Sequence, residues 1–410
     1  MKKLKLVLIG NGMAGVRTIE ELLKIAPDLY DITVFGAEPH PNYNRIMLSP
    51  VLAGEQTIDE IVLNSWAWYT QNGITLHAGK KVVEVDRIRR VVRAVDAKGE
   101  ITEAGYDRLL VCTGSNPFML PVPGNQLAGV IAYRDIADTD YMIDAARTHR
   151  NAVVIGGGLL GLEAANGLAL RGMNVTVVHA CDWLMERQLD GTAGRLLQQT
   201  LEERGLHFML GAQTQALLGN EAGRVRAIRF KDGTELPADL VVMAVGIRPN
   251  IELAQQMHLH CERGIVVNDT MQTVTDARIY SVGECAQHRG VAYGLVAPLF
   301  EQAKVAANHL AQFGIGRYAG SLTSTKLKVT GIDLFSAGEF MGGEGCEEIV
   351  MNDPFGGVYK KLVIKDDKLV GACLYGDTMD GSWYFRLLCE GSDVSGIRDR
   401  LMFGEADLHG

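Results

Sequence analysis

Two short glycine strings, each set between a buried strand and a helix, constrain this chain more than any other feature. In the first, Lys5 to Ile9 reads as a buried strand and Gly10-Asn11-Gly12-Met13-Ala14-Gly15 as a turn. Val16, Ile19, Leu23 and Ala26 then share one helix face, and Asp31 to Phe35 is the returning strand. The same order recurs from Ala152 to Ile155, through Gly156-Gly157-Gly158-Leu159-Leu160-Gly161 and the helical run Leu162 to Leu170, to the strand Asn174 to Val178. Strands joined through one helix pair in parallel, so both units predict α/β layers with a Rossmann-like sheet. The glycines divide the labour. The first permits the tight turn, the second lets backbone approach a pyrophosphate, and the third lets helix and strand pack closely, with the helix N-terminus facing the phosphates. A lone G-x-G-x-x-G is a weak pattern, whereas one framed by strand, helix and strand is a dinucleotide fingerprint.

The residues that end the returning strands differ. Glu38 stands where a carboxylate accepts hydrogen bonds from a ribose diol, and His179 occupies the matching place in the second unit. A histidine can still bond a 2′-hydroxyl, whereas a 2′-phosphate calls for Arg or Lys, which residues 179–184 lack. The reading therefore leans to NADH, with NADPH left open. Glu163, just inside the second helix, has two readings: a carboxylate stabilising the helix dipole from the first turn, or a group beside a nicotinamide. Two dinucleotide sites in one chain imply a hydride relay, which requires the two reacting rings to be held about 3–3.5 Å apart.

At 410 residues the chain exceeds the ~250–300 residues at which single cores stop growing. Lys81 to Val95 and Glu100 to Ala104 read as antiparallel strands, followed by a buried strand from Arg108 to Cys112 and a Thr113-Gly114-Ser115 turn. Prolines between Asn116 and Gly124, and the run Gly246-Ile247-Arg248-Pro249-Asn250, mark two inter-domain crossings. From about Gly316 strands dominate and a helix near Trp383 to Cys389 closes the chain, which predicts a third, α+β domain.

Composition excludes several classes. The net charge of −9 argues against a duplex nucleic-acid partner. Met1-Lys2-Lys3 followed by apolar residues imitates a secretion signal, but the run breaks at Gly10 without a cleavage site. No long apolar stretch free of charge suggests a membrane span, so the expected location is cytoplasmic. Seven cysteines, with no C-x-C or C-x-x-C pair, suit a reducing compartment and argue against a zinc or iron–sulfur site; no metal is expected. Residues 36–70 contain no cysteine, so no thiol pair follows the first unit to receive electrons, and these should leave the chain. Cys112 and Cys285 border glycine turns and read as small packing residues. Lys326, Lys328, Lys360, Lys361, Lys365 and Lys368 suggest either a docking face for an acidic carrier or, more simply, a solvated strand face. Trp183, His258, His260 and His288 lack partners at ligand spacing and read as structural.

The two fingerprints, the string from Tyr106 to Gly114 and Ile279-Tyr280-Ser281-Val282-Gly283-Glu284 resemble the FAD-dependent pyridine-nucleotide oxidoreductases over about residues 1 to 315. Within that family, the strings Asn42 to Ser49, Gly157 to Glu163, Leu184 to Asp190, Tyr293 to Pro298 and Gly376 to Tyr384 are similar to the flavoprotein part of NAD(P)H-dependent nitrite reductase large subunits. The resemblance implies a glutathione-reductase-like fold, with an FAD-binding domain of residues 1–115 and 245–315, an NAD(P)H-binding domain of 116–244 and a C-terminal α+β interface domain of 316–410. It implies that Gly10, Gly12 and Gly15, with Met13 and Ala14 between them, hold the FAD pyrophosphate. Glu38 would take the adenosine ribose, Arg45 the flavin side and Val82 the adenine. Thr113 and Gly114 close the site, and Gly283 and Glu284 meet the ribityl chain, Glu284 replacing a more usual aspartate. Gly156, Gly158, Leu160, Gly161, Glu163, His179 and Gly246 would line the nicotinamide dinucleotide. Pro298 counts among the cofactor contacts, and Glu163 and Arg45 are the catalytic candidates. Related ferredoxin reductases often carry a lysine where Pro50 stands, so any role of that lysine is missing.

A nitrite reductase subunit of this kind would continue into iron–sulfur and siroheme domains. The expectation is therefore a diaphorase portion of a longer chain, or a stand-alone reductase serving a separate iron–sulfur, siroheme or molybdenum partner in nitrite or nitrate assimilation. A homodimer is left open. One rival is an NADH:rubredoxin or ferredoxin reductase; another is a redox-sensing interaction module, which negligible NADH turnover with ferricyanide would favour.

Overall fold

The computed structural model describes residues 3–329 and 331–409. Its contacts divide the chain into two units, the first made of residues 1–48, 56–116 and 247–321, the second of 49–55, 117–246 and 322–410.

The first unit is built on a five-stranded parallel sheet in the order Ile279–Ser281, Arg108–Val111, Leu4–Ile9, Tyr30–Gly36, Thr75–Ala78. Both faces are covered, which is why the strands read as continuous apolar runs. Leu6 and Leu8 join a cluster with Val16, Ile19 and Leu22 of the helix Met13–Ile25 and Ala306, Ala307 and Leu310 of the helix Val296–Leu310. Val7 and Ile9 point the other way, against Val82, Val85, Val92 and Ala94 of an antiparallel sheet formed by Lys81–Asp86, Val91–Val95 and Ile101–Gly105. The two-residue period of one strand thus fills two cores.

The second unit repeats the plan. Its parallel sheet runs Val130–Ala132, Leu240–Met243, Asn151–Ile155, Asn174–Val178, His207–Met209. The helix Leu159–Leu170 packs against this sheet, and a small antiparallel sheet of Thr214–Gly219, Val225–Phe230 and Glu235–Pro237 lies in the same unit. The short helix Leu48–Ala53 belongs here despite its place in the sequence: Arg171 donates to the carbonyls of Leu52 (2.5 Å) and Val51 (3.2 Å). Pro50 sits in its first turn, where a missing N–H costs nothing.

The C-terminal segment forms a five-stranded antiparallel sheet in the order Ser324–Val329, Ile332–Gly338, Lys368–Tyr375, Val358–Lys365, Glu347–Asp353, with the helix Gly381–Glu390 on one face. The other face meets the helix Gly191–Glu203. Tyr359 donates to Asp190 (2.6 Å) and the Tyr375 hydroxyl lies 2.7 Å from Thr200 Oγ1.

This packing overturns the lysine reading at two of the six positions. Lys360 and Lys361 are buried, neither a docking face nor a solvated one: Lys360 pairs with Asp377 (2.7 Å) and Lys361 with Glu348 (3.0 Å). Both faces of their strand are covered, which charge patterning along a sequence does not reveal. Lys326, Lys365 and Lys368 are exposed, while the Lys328 side chain, like Met1 and Lys2, lies outside the described residues. No helix among the described residues is long and apolar enough to cross a membrane.

Candidate functional site

Each glycine turn carries out two tasks, and the geometry separates them. A Cβ on Gly10 would stand 2.1 Å from the Cys112 carbonyl oxygen, and one on Gly15 would stand 2.9 Å from the Gly10 oxygen. In the second turn the matching distances are 2.3 Å from Gly156 to the Ala244 oxygen and 2.0 Å from Gly161 to the Gly156 oxygen, so the third glycine is the more tightly held there. These four glycines are packing requirements. Gly12 and Gly158 differ, since a Cβ there meets nothing within 4 Å.

The helices that start after Gly12 and Gly158 have no side-chain cap and no acidic residue in the first turn. Three other helices carry side-chain caps, where Ser65 accepts from Trp68, Asp135 from Asp138 and Asp190 from Ala193, whereas Glu252–Gln256, Val296–Leu310 and Gly381–Glu390 do not. An uncapped N-terminus, free of first-turn carboxylates and opening onto space, fits a pyrophosphate, so the residues present suit a dinucleotide at both turns.

Around the first turn, Tyr69 donates to Asn11 Oδ1 (2.7 Å), and Asn11 Nδ2 donates to the His40 carbonyl (3.2 Å), fixing the loop after Glu38. The Glu38 carboxylate, about one-third exposed, accepts from Tyr43 (2.6 Å) and Arg45 (2.5 Å), with the guanidinium 5.1 Å from the Tyr43 ring centre. The structure thus sets Arg45 on Glu38. A carboxylate has about four acceptor positions, so Glu38 retains capacity for a diol. Val82 packs its side chain into the core, which leaves its main chain for any contact with a base. Thr113 donates to the Asn250 carbonyl (2.6 Å) while Asn250 N–H donates to the Gly114 carbonyl (2.9 Å), clasping the Thr113-Gly114 turn. Ser115 donates to Glu284 (2.6 Å), and Gly283, at φ +94°, turns the chain there with its N–H on Gln302 (3.0 Å). Pro298 lies buried in the first turn of the helix Val296–Leu310.

In the second unit, Leu160 is partly exposed beside Gly158, and Gly246, at φ +111°, faces open space. Glu163 is the fifth residue of its helix, not in the first turn, so the dipole reading falls. Its carboxylate accepts from Ser49 (2.5 Å), itself 3.4 Å from the Tyr133 hydroxyl, and burial pushes the carboxyl above the usual range. Sequence reasoning missed Ser49 as Glu163's partner, because 114 residues separate them.

Both His179 nitrogens are engaged by the protein. Nδ1 accepts from the Gly157 N–H (3.1 Å), and Nε2 lies 3.0 Å from Glu186. Both contacts lie within the chain. His179, Cys181 and Glu186 offer ligand atoms within 4.8 Å of one another, the arrangement of a metal site. The Gly157 N–H argues against that: it needs the lone pair on Nδ1, which leaves the proton on Nε2 and no lone pair toward the other two.

Cys112 lies beneath the first turn, its thiol pushed up by burial, and Cys285 is buried beside Ser281. His288 is buried with Nε2 on Asp269 (2.8 Å), and Trp183 donates to the Leu189 carbonyl (3.0 Å).

Residues 4–309 match the family described as pyridine nucleotide-disulphide oxidoreductase. The chain belongs to that family. This pyridine nucleotide oxidoreductase uses FAD and NAD(P)H. Residues 324–391 match the rubredoxin NAD+ reductase C-terminal domain. Among curated relatives, the chain is 52% identical over 399 residues to a nitrite reductase [NAD(P)H] of Bacillus subtilis (strain 168), covering 96% of this chain and 48% of that protein. It is 48% identical over 395 residues to an assimilatory nitrate reductase electron transfer subunit of the same organism, covering 96% and 50%. The chain thus spans about half the length of these relatives. Among solved structures, NADH:rubredoxin oxidoreductase from Clostridium acetobutylicum is similar with a TM-score of 0.79 and 25% identity, over 96% of this chain and 97% of that one. The family's name includes disulphide chemistry, yet all seven cysteines here are free thiols and none lies in residues 36–70.

Proposed function

We propose that this oxidoreductase is the electron-entry flavoprotein of nitrite or nitrate assimilation, oxidising a reduced nicotinamide dinucleotide and delivering electrons to a separate iron–sulfur, siroheme or molybdenum centre. The observation that carries the reading is the 48–52% identity across nearly the whole chain to two proteins named for those reactions, one of them an electron transfer subunit.

In this reading residues 1–115 and 245–315 bind FAD, 116–244 bind the nicotinamide dinucleotide, and 316–410 form the interface domain. FAD supplies the step from hydride to single electrons. The chain's own groups bind and orient. Helix N–H groups beyond Gly12 and Gly158 hold the two pyrophosphates, and Glu38, steadied by Tyr43 and Arg45, accepts from the adenosine ribose of FAD. Glu284, steadied by Ser115, accepts from a ribityl hydroxyl. Glu163 presents a buried carboxyl to the nicotinamide carboxamide, with Ser49 holding its orientation. Residues 36–70 hold no cysteine to receive the electrons, and the relative named as an electron transfer subunit favours a protein acceptor.

The rubredoxin-reductase match at residues 324–391 favours a second reading, in which rubredoxin is the acceptor. Purified FAD-loaded protein with NADH separates the two. Reduction of a siroheme nitrite reductase or molybdenum nitrate reductase partner is expected, and fast rubredoxin reduction with no response from those partners would overturn the proposal.

A further inference from the structure

We propose that Glu186, positioned by His179, is the carboxylate that reads the adenosine ribose of the nicotinamide dinucleotide and makes the chain select the form without a 2′-phosphate. The inference rests on reading the Gly156–Gly161 turn as that dinucleotide's site.

The strand Asn174–Val178 ends at His179, where a ribose-reading acid normally stands. The chain then turns back on the glycine string. Met185 N–H donates to the Gly157 carbonyl (2.9 Å), and Gly157 N–H donates to His179 Nδ1 (3.1 Å). Gly157 is thereby held on both sides. A Cβ on it would lie 2.8 Å from both His179 Cγ and Leu184 Cδ2, which explains why this turn has three glycines in a row. Met185 takes φ +54°, a conformation few side chains adopt, and the next residue is Glu186. Strain at this point swings the following side chain back to the strand end, where Nε2 of His179 meets Glu186 Oε2 at 3.0 Å.

The fixed tautomer sets the direction of that bond. With Nδ1 accepting from backbone, Nε2–H donates, and the glutamate is held as an acceptor. Its side chain is 31% exposed against 9% for the histidine, so the pair has a buried anchor and an open carboxylate. Bonds from His179 and the Cys181 thiol use two of about four acceptor positions and leave the others for two vicinal hydroxyls. A 2′-phosphate would bring like charge against the same carboxylate. The exposed neighbour Arg187 is the group that would reverse the preference if it, rather than Glu186, faced the ribose.

The Glu186 test uses ADP-ribose and 2′-phospho-ADP-ribose, measured by calorimetry on the FAD-loaded protein, so that arm does not depend on turnover; retained FAD absorbance shows that each variant is folded. Wild type should bind ADP-ribose the more tightly. Glu186→Gln should weaken ADP-ribose about tenfold or more while 2′-phospho-ADP-ribose binding holds or tightens. His179→Asn, which keeps a partner for Gly157 and loses the one for Glu186, should raise the NADH KM at unchanged kcat and shift the NADH/NADPH preference. A residue with only a structural role would not move that ratio. Unchanged selectivity in Glu186→Gln, or a wild type that binds 2′-phospho-ADP-ribose the more tightly and loses that preference in Arg187→Ala, overturns the assignment of Glu186. Failure of wild type to bind either probe overturns instead the dinucleotide reading of the turn.

Discussion

Replacing Gly161 and Gly158 by alanine, one at a time, should separate packing from phosphate binding within a single turn. At Gly161 the new methyl would stand 2.0 Å from the Gly156 carbonyl oxygen, about 1 Å inside the 3.0 Å limit that real contacts respect. That neighbour is backbone of the same tight turn and cannot rotate away, so the helix Leu159–Leu170 must lift from its sheet. A clash this deep with backbone falls in the upper part of the overpacking range, roughly 2–3 kcal/mol, partly offset by the ~1 kcal/mol that alanine gains over glycine inside a helix. A net loss of about 1–2 kcal/mol lowers Tm by roughly 2–8 °C for a unit of this size. At Gly158 the methyl meets nothing within 4 Å, and φ −84°, ψ 179° suits any residue. Stability should then change by less than about 1 kcal/mol, the cost of alanine at an N-cap. Affinity for ADP-ribose should nevertheless fall at least about tenfold, because the methyl occupies the approach of the pyrophosphate. Thermal melts followed at the FAD band, paired with calorimetric titration, read both quantities. If Gly158→Ala melts like Gly161→Ala, or binds ADP-ribose as wild type does, the division of labour argued here is wrong.

Other outcomes follow from the same contacts. Burial raises the Glu163 carboxyl, so the folded chain holds that proton more tightly than the unfolded one; its contribution to stability is full below the ordinary glutamate range and is lost as pH rises through the raised value. Glu163→Gln, blind to pH, should therefore match wild type near pH 4 and exceed it in Tm at pH 8, and a difference that is flat or opposite in sign would refute the burial argument. Tyr359→Phe removes a 2.6 Å donor to Asp190, the N-cap of Gly191–Glu203, and should cost roughly 1–2 kcal/mol in urea unfolding. Alkylation with iodoacetamide should modify the exposed Cys389 and leave NADH–ferricyanide turnover intact; activity lost in step with modification would restore a thiol to the mechanism.

The sequence alone determined the two α/β units and the packing role of Gly10, Gly15, Gly156 and Gly161, because a tight turn and a close helix each exclude a side chain at a fixed spacing. It also determined the missing thiol relay, since residues 36–70 hold no cysteine. What it left undecided depends on groups distant along the chain. The sequence could not show that Glu163 is held by Ser49, that the helix Leu48–Ala53 belongs with the second unit, or that Lys360 and Lys361 are buried among Asp377, Glu348 and Asp190. The second ribose position shows the limit most clearly. Read locally, His179 is a histidine in place of an acid; in three dimensions Met185's positive φ returns Glu186 to that point, and only the folded backbone decides which side chain stands there.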